Sequence, residues 1–248
     1  MYLPTFGLIA ALALCGIALC LLAAAPLGTR LEWWPYGFGL YRLMPLSGIV
    51  AALAIILAVF MLAFGRSRLR PASLIMLAVV LLLSATLVYV PVHYSVRRSS
   101  LPAIHDITTD IDNPPKFSAV LAARANEHAS SVDDRGAQLG QLQRAAYPEL
   151  RTLTTALSRA QAFQQALEVA RSMPGWTIVA ADTNAGRIEA SEQSRWFRFT
   201  DDVVIRIIGD EVGSRIDMRS TSRKGTSDYG VNSARIRAYM AALRKRIG

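Results

Sequence analysis

The side chains best suited to chemistry gather near the C-terminus, in Arg219-Ser-Thr-Ser-Arg-Lys-Gly-Thr-Ser-Asp-Tyr-Gly-Val-Asn232. Gly225 and Gly230 allow backbone conformations that a side chain forbids. The stretch leads into a segment with helical periodicity, and a helix amino end offers N–H groups without intrahelical partners. Arg219, Arg223 and Lys224 add positive charge, so the outline is that of an anion site. Phosphate, a carboxylate or a lipid headgroup fits it, with Arg219, Ser220, Ser222, Arg223, Gly225, Ser227, Asp228 and Asn232 as the contacting residues. The stretch is neither a P-loop nor a dinucleotide fingerprint, because the Gly-Lys-Ser/Thr order and the glycine spacing are wrong. A second reading closes it on itself. Ser227, Asp228 and Asn232 are helix-capping types, and Arg219 and Arg223 have carboxylate partners available at Asp201 and Asp202.

Catalysis by serine needs a base beside the nucleophile. The histidines are His93, His105 and His128. The alternative function is therefore a hydrolase pairing His105 with a serine of 220–227. Asp201 and Asp202 do not form an acid–base pair, because neighbours on a strand point to opposite faces. His105, Asp106, Asp110 and Asp112 resemble a ligand cluster, but the glycine and distal glutamate of a calcium loop are missing. They read as turn carboxylates, and no metal or cofactor is expected. Both cysteines, Cys15 and Cys20, lie in an apolar run, so neither a disulfide framework nor a thiol metal site is expected in the polar part.

The chain that carries these residues changes character near residue 95. Before it stand five Arg, no Lys and one acid, Glu32; after it stand the other 22 basic residues and 17 acids. That split predicts a membrane segment over 1–95 followed by a polar domain. Three apolar runs, about 3–26, 43–64 and 72–94, are long enough to span a bilayer as helices. Trp33, Trp34, Tyr36 and Phe38 between the first two favour the headgroup level. Arg66, Arg68 and Arg70 crowd the loop before the third run. With that loop in the cytoplasm, the polar domain lies on the other side of the membrane. The basic residues of the polar domain are interleaved with acids rather than clustered with aromatics, so nucleic acid is not an expected partner. Membrane lipid, an anionic small ligand and envelope proteins are.

Residues 96–115, with Asn113-Pro-Pro115, predict an extended leader onto a domain at 116–248. Short helices are expected within 117–127 and 140–146, around a polar loop at 130–136. Ala156, Ala160, Phe163, Leu167 and Ala170 recur at three- and four-residue steps from Leu153 onward, one face of a helix that Pro174-Gly175 stops. Four strands follow, 176–181, 187–191, 201–208 and 214–220, with short turns of Asp, Asn and Gly between them. A last helix, 232–246, carries Ile236, Met240, Leu243 and Ile247 as its stripe. The expected fold is α+β: three N-terminal transmembrane helices, then a two-layer domain with a four-stranded antiparallel sheet and packed helices.

The polar part also carries a resemblance. Asp106-Ile-Thr-Thr-Asp110, Asn113-Pro-Pro115, Ala146-Tyr-Pro148, Gly175-Trp176, Arg187-Ile-Glu-Ala190, Arg195-Trp-Phe197, Phe199-Thr-Asp-Asp-Val203 and the 219–232 stretch resemble the bacterial domain-of-unknown-function family numbered 1499, over residues 104–246. Lys224 and Tyr229 replace the family's usual Val and Leu, and neither change removes a polar group. The resemblance implies an α+β domain associated with the bacterial envelope; taken with the three apolar runs and the arginine bias, the expected place is a multi-pass protein of the inner membrane with the domain in the periplasm. It implies no catalytic residues.

Overall fold

The computed structural model describes residues 3–65, 67, 69–132 and 137–248. Arg66 and Arg68 of the basic loop and residues 133–136 of the polar loop lie outside the described residues. The chain divides into two compact units, Met1–Arg97 and Arg98–Gly248.

The first unit is helical. Helix α1 (Leu3–Arg30) is followed by a short turn, α2 (Tyr36–Phe38), and a π-helical segment, Gly39–Leu43, that runs into α3 (Met44–Gly65). Helix α4 (Pro71–Ser100) is the unit's last helix and ends three residues past the boundary at Arg97. Three helices are long and apolar enough to cross a membrane: Thr5–Arg30, Tyr36–Gly65 and Pro71–Ser100. The seam between α1 and α3 is built largely from small residues, while α4 contributes Leu77, Val80 and Leu87 to the same cluster. Ala11, Cys15 and Ala18 are buried in one cluster with Ala51, Ala54 and Ala58. Large apolar residues such as Phe6, Ile17, Ile49, Phe60 and Leu82 point outward. Small residues inside and bulky apolar residues outside is the pattern that lipid permits, because close backbone approach rather than hydrophobic burial holds such helices together.

The second unit is an α+β domain. Its order is β1 (Asp106–Thr108), α5 (Leu121–Asn126), α6 (Ala137–Ala146), β2 (Leu153–Thr155), α7 (Arg159–Ser172), β3 (Trp176–Asp182), β4 (Arg187–Gln193), β5 (Thr200–Asp210), β6 (Gly213–Ser222) and α8 (Val231–Ile247). The sheet is antiparallel and has six strands rather than four, in the order β1-β6-β5-β4-β3 with β2 also on β6. The four long strands are the expected meander. The added two share the outer edge of β6 end to end: Asp106–Thr108 pair with Thr221–Arg219, and Leu153–Thr155 pair with Ile216–Ser214. They satisfy backbone groups that an open edge would leave bare. Gly213 lets β2 approach; its φ is 152°, and a Cβ there would sit 2.0 Å from the Thr155 carbonyl oxygen.

This edge adds a strand to the extended leader and corrects one expectation. Residues 106–108 of the leader belong to the sheet. The helix expected from Leu153 begins only at Arg159, because Ser158 and Gln161 form a reciprocal capping box there. Ala156 and Ala160 are accordingly exposed, while Phe163, Leu167 and Ala170 are buried.

Strand alternation then sorts the polar residues. Ile188, Ala190, Val203, Ile205, Ile207, Ile216 and Met218 face α7 and α8 and form the main core with Phe163, Ile236, Tyr239 and Leu243. The other sheet face is covered by the 104–132 segment through a smaller cluster of Phe117, Val120, Val132 and Val204. Asp201 and Asp202, being neighbours, point into different layers.

Candidate functional site

The 219–232 stretch spans the end of β6, a loop and the start of α8. The charged side chains of Arg219, Arg223, Lys224 and Asp228 are each met from within the chain. Arg219 lies on the covered face, 2% exposed. Its Nε and Nη2 donate to the two carboxylate oxygens of Asp106 at 2.9 and 2.7 Å. Its remaining donors reach the Pro115 and Val132 carbonyls at 3.2 and 2.8 Å, and its guanidinium lies 5.3 Å from the Phe117 ring centroid. The strand register makes this pairing: Asp106 is opposite Thr221 and Thr108 opposite Arg219, so Asp106 and Arg219 share a face two residues apart. Arg219 therefore pairs with Asp106, not with Asp201 or Asp202.

Asp202 is fully buried on the same face. Arg223 donates to both of its oxygens, Nε to Oδ2 at 2.9 Å and Nη2 to Oδ1 at 2.8 Å. Arg124 of α5 adds a bond at 2.8 Å and the Ser191 hydroxyl one at 2.7 Å. Arg223 also donates to Glu127 at 2.5 Å. Two guanidiniums thus meet two carboxylates. Burial pushes the Asp202 carboxyl up, but the bonds from Arg223, Ser191 and Arg124 outweigh it and hold it below the ordinary carboxylate value. Lys224 bonds the Glu127 and His128 carbonyls at the end of α5.

On the helix face Arg235 plays the matching part. Its Nε donates to Glu192 at 2.6 Å and its Nη2 to Asp201 at 2.8 Å. Its Nη1 reaches Ser220 Oγ at 2.9 Å and Asn232 Oδ1 at 2.5 Å. Asn232 is buried and ties three segments together. Its Oδ1 accepts from Ser220 Oγ at 2.6 Å, and its Nδ2 donates to the His105 carbonyl and to Ser222 Oγ, both at 3.0 Å.

The amino end of α8 is also filled. Tyr229 and Gly230 take φ values of 53° and 78°, and this left-handed pair curls the loop so that Asp228 sits under its own helix. Asp228 Oδ1 accepts from Gly230 N and Oδ2 from Asn232 N, both at 2.8 Å. The anion that a helix amino end attracts is thus supplied in cis. Burial pushes the Asp228 carboxyl up, against the lowering effect of those two backbone bonds. Ser227 Oγ accepts from Tyr229 N at 3.4 Å, and Gly225 takes a φ of 91° in the loop between.

The carboxylates of the leader are used in the same way. Asp110 accepts from Arg206 at 2.9 Å, and Asp112 from Arg144 at 2.7 Å. His105 pairs by its backbone with Ser222, whose N–H donates to the His105 carbonyl at 2.9 Å. Among the described residues, no hydrogen bond joins the His105 ring to a serine of 220–227, and the Ser222 oxygen is taken by Asn232.

Arg124, Glu127, Glu192 and Arg235 complete the network and were not legible as site residues. One signal pointed to Arg235: adjacent Asp201 and Asp202 require a cation in each layer, and Arg235 stands one helical turn beyond Asn232.

The two buried aspartates have opposite linkage. Asp202 has a depressed folded value, so the stability it supplies is present above the unfolded value of about 3.9 and is lost as pH falls through the folded one. Asp228 has a raised folded value, so its contribution is fully present below the unfolded value and fades as pH rises through the folded one. The melting temperature of the full chain is expected to fall between about pH 5 and about pH 3, with a shallower fall in Asp202→Asn. An equal slope in the variant would contradict the assignment to Asp202.

No curated protein matches the chain. A family match covers residues 106–243. It opens at Asp106, the partner of Arg219, and closes at Leu243 in the core stripe of α8, so it takes in Arg124, Glu127, Asp201, Asp202, Arg223, Asp228, Asn232 and Arg235. Matched over more than half its length, the chain belongs to the family described as Protein of unknown function (DUF1499).

Proposed function

We propose that this is a membrane-anchored protein of the bacterial envelope, not a hydrolase, and that residues 219–232 are the internal clamp of its α+β domain rather than an open anion site. The observation that carries the reading is the internal pairing of Arg219, Arg223 and the α8 amino end with Asp106, Asp202 and Asp228. A phosphate, carboxylate or lipid headgroup would reach the guanidiniums of Arg219 and Arg223, or the Gly230 and Asn232 amides, only by displacing one of these carboxylates. Breaking a buried, bidentate pair costs about 3–5 kcal/mol. A free anion of ordinary affinity would surrender most of its binding energy to that displacement.

The test is a titration of the detergent-solubilised full chain with inorganic phosphate and glycerol phosphate, followed by melting temperature. Both are expected to act no differently from chloride at equal ionic strength. Saturable stabilisation by phosphate that Arg223→Ala abolishes would overturn the reading and restore an open anion site.

We propose further that the protein lies in the inner membrane with the 66–70 loop in the cytoplasm and the domain in the periplasm, on the bias of Arg66, Arg68 and Arg70. A C-terminal alkaline phosphatase fusion is expected to be active. A fusion active only as a cytoplasmic reporter would reverse the orientation.

A further inference from the structure

The connection between β4 and β5, residues 194–199, is closed by its own hydrogen bonds. Ser194 N donates to the Phe199 carbonyl at 2.7 Å, Arg198 N to the Ser194 carbonyl at 3.1 Å, and Phe199 N to Ser194 Oγ at 2.8 Å. Arg198 adopts a left-handed φ of 55° to complete the turn. The Phe197 and Phe199 rings stack at 5.8 Å and are half-buried. Trp196 is 61% exposed, with the Arg195 guanidinium 5.7 Å from its ring centroid. Arg195 and Arg198 are themselves exposed. This closed turn thus exposes an indole and two arginines, with Arg198 Nε donating to Gln193 Oε1 at 3.2 Å. Indole favours the boundary between headgroups and acyl chains, and arginine favours lipid phosphates.

The place of the turn in the sheet supplies the second observation. It leaves β4 at Gln193 and enters β5 at Thr200. At that same end Asp201 pairs with Ser222, and Ser222 bonds His105 just before β1. The chain therefore comes into the domain at this end, two to three strand spacings, or about 10–14 Å, from the turn. Leu101 already packs beside Gly230 there. Immediately before it runs α4, Pro71–Ser100, a 30-residue helix. At 1.5 Å per residue such a helix is about 45 Å long, the thickness of a bilayer with both headgroup layers. In the sequence only residues 101–105 separate the end of this helix from β1, which lies at the sheet end that bears Trp196.

We propose that residues 194–199 dock on the surface of the membrane that α4 crosses, with Trp196 at headgroup level and Arg195 and Arg198 on the phosphates of anionic lipid. The proposal rests on the three apolar helices being membrane spans and is independent of the 219–232 clamp.

The test uses the full chain in nanodiscs of phosphatidylcholine, alone or mixed with phosphatidylglycerol, with acyl chains brominated close to the headgroup. Subtracting the fluorescence of Trp196→Phe from that of the wild type isolates Trp196 from Trp33, Trp34 and Trp176. The difference signal is expected to lose at least half its intensity to bromine in the mixed discs. Arg195→Gln combined with Arg198→Gln is expected to restore much of it. An unquenched difference signal in both lipid compositions would overturn the docking, and would direct the turn to a protein partner instead. Quenching that persists in Trp196→Phe reports Trp33 and Trp34 in the membrane. If that component is also unquenched, the membrane-span reading fails and the proposal falls with it.

Discussion

Asp202→Ala is expected to destabilise the domain by about 3–5 kcal/mol, the cost of breaking a buried ion pair from one side. The carboxylate is fully buried and accepts from Arg223, Arg124 and the Ser191 hydroxyl. Without it, two guanidiniums in the covered layer face each other across the vacated position, and Glu127 remains to balance only one. Desolvated charge without a counter-charge is far more costly than the pair is beneficial. Asp202→Asn keeps the shape and one acceptor but not the charge, so it is expected to fall between alanine and wild type. Arg124 and Arg223 reach Asp202 from α5 and from the end of β6, so the loss spreads beyond one contact. Thermal unfolding of the full chain can be followed through Trp176, whose ring stacks on Tyr239 at 5.5 Å in the core. A melting temperature equal to wild type in Asp202→Ala would contradict this account.

Arg219→Ala is expected to cost a similar amount, about 3–5 kcal/mol, but to act on a different part of the domain. The guanidinium joins β6 to Asp106, to the Pro115 and Val132 carbonyls and to the Phe117 ring. It is the pin that holds the 104–132 segment over the sheet. Its removal takes the cation from a buried carboxylate and the donors from two carbonyls. The cover should open before the core does. Hydrogen exchange of the full chain reads this directly. The Ser118 and Val120 amides, which bond Glu189 at 2.9 and 3.1 Å, are expected to exchange much faster in the variant. Amides of α7 are expected to change least. Uniform acceleration across the domain would show that the pin supports the whole fold and not the cover.

Both effects follow from a network whose parts were unequally legible. The strands β3 to β6 could be read because Ile216 and Met218 alternate with Arg215, Asp217 and Arg219, and because Gly and Asn mark the turns. The stripe Ile236, Met240 and Leu243 placed α8 in the same way. The edge strands β1 and β2 could not be read. Three residues carry no periodicity, and their pairing is decided by the bare edge of β6 rather than by their own sequence. Leu153 was drawn into the α7 pattern for that reason, although Ser158-x-x-Gln161 marks the true start. In the site, the chemistry of 219–232 was legible as Arg, Gly and capping residues, and so was the opposition of Asp201 and Asp202. The partner of Arg219 was not, because Asp106 lies 113 residues away and only the β1–β6 register brings it near. Arg235 was hidden inside a helix whose apolar stripe drew attention to other positions.

Three helices long and apolar enough to cross a membrane precede this domain, and its charge network pairs several of its arginines from within. Arg219, Arg223 and Arg235 are each at least nine-tenths buried and each meets a carboxylate. The basic excess that remains is carried by exposed residues, among them Arg195 and Arg198 on the β4–β5 turn.

A double-mutant cycle on Arg219 and Asp106 tests the central claim, that the 219–232 stretch is neutralised from within. Arg219→Met and Asp106→Asn each remove one charge, and the double variant removes both. Each single variant is expected to lower the stability of the full chain strongly, and the double variant to cost clearly less than their sum, with a coupling of at least about 2 kcal/mol. Additive losses, or an Arg219→Met protein that melts like wild type and differs only in its affinity for phosphate, would contradict it.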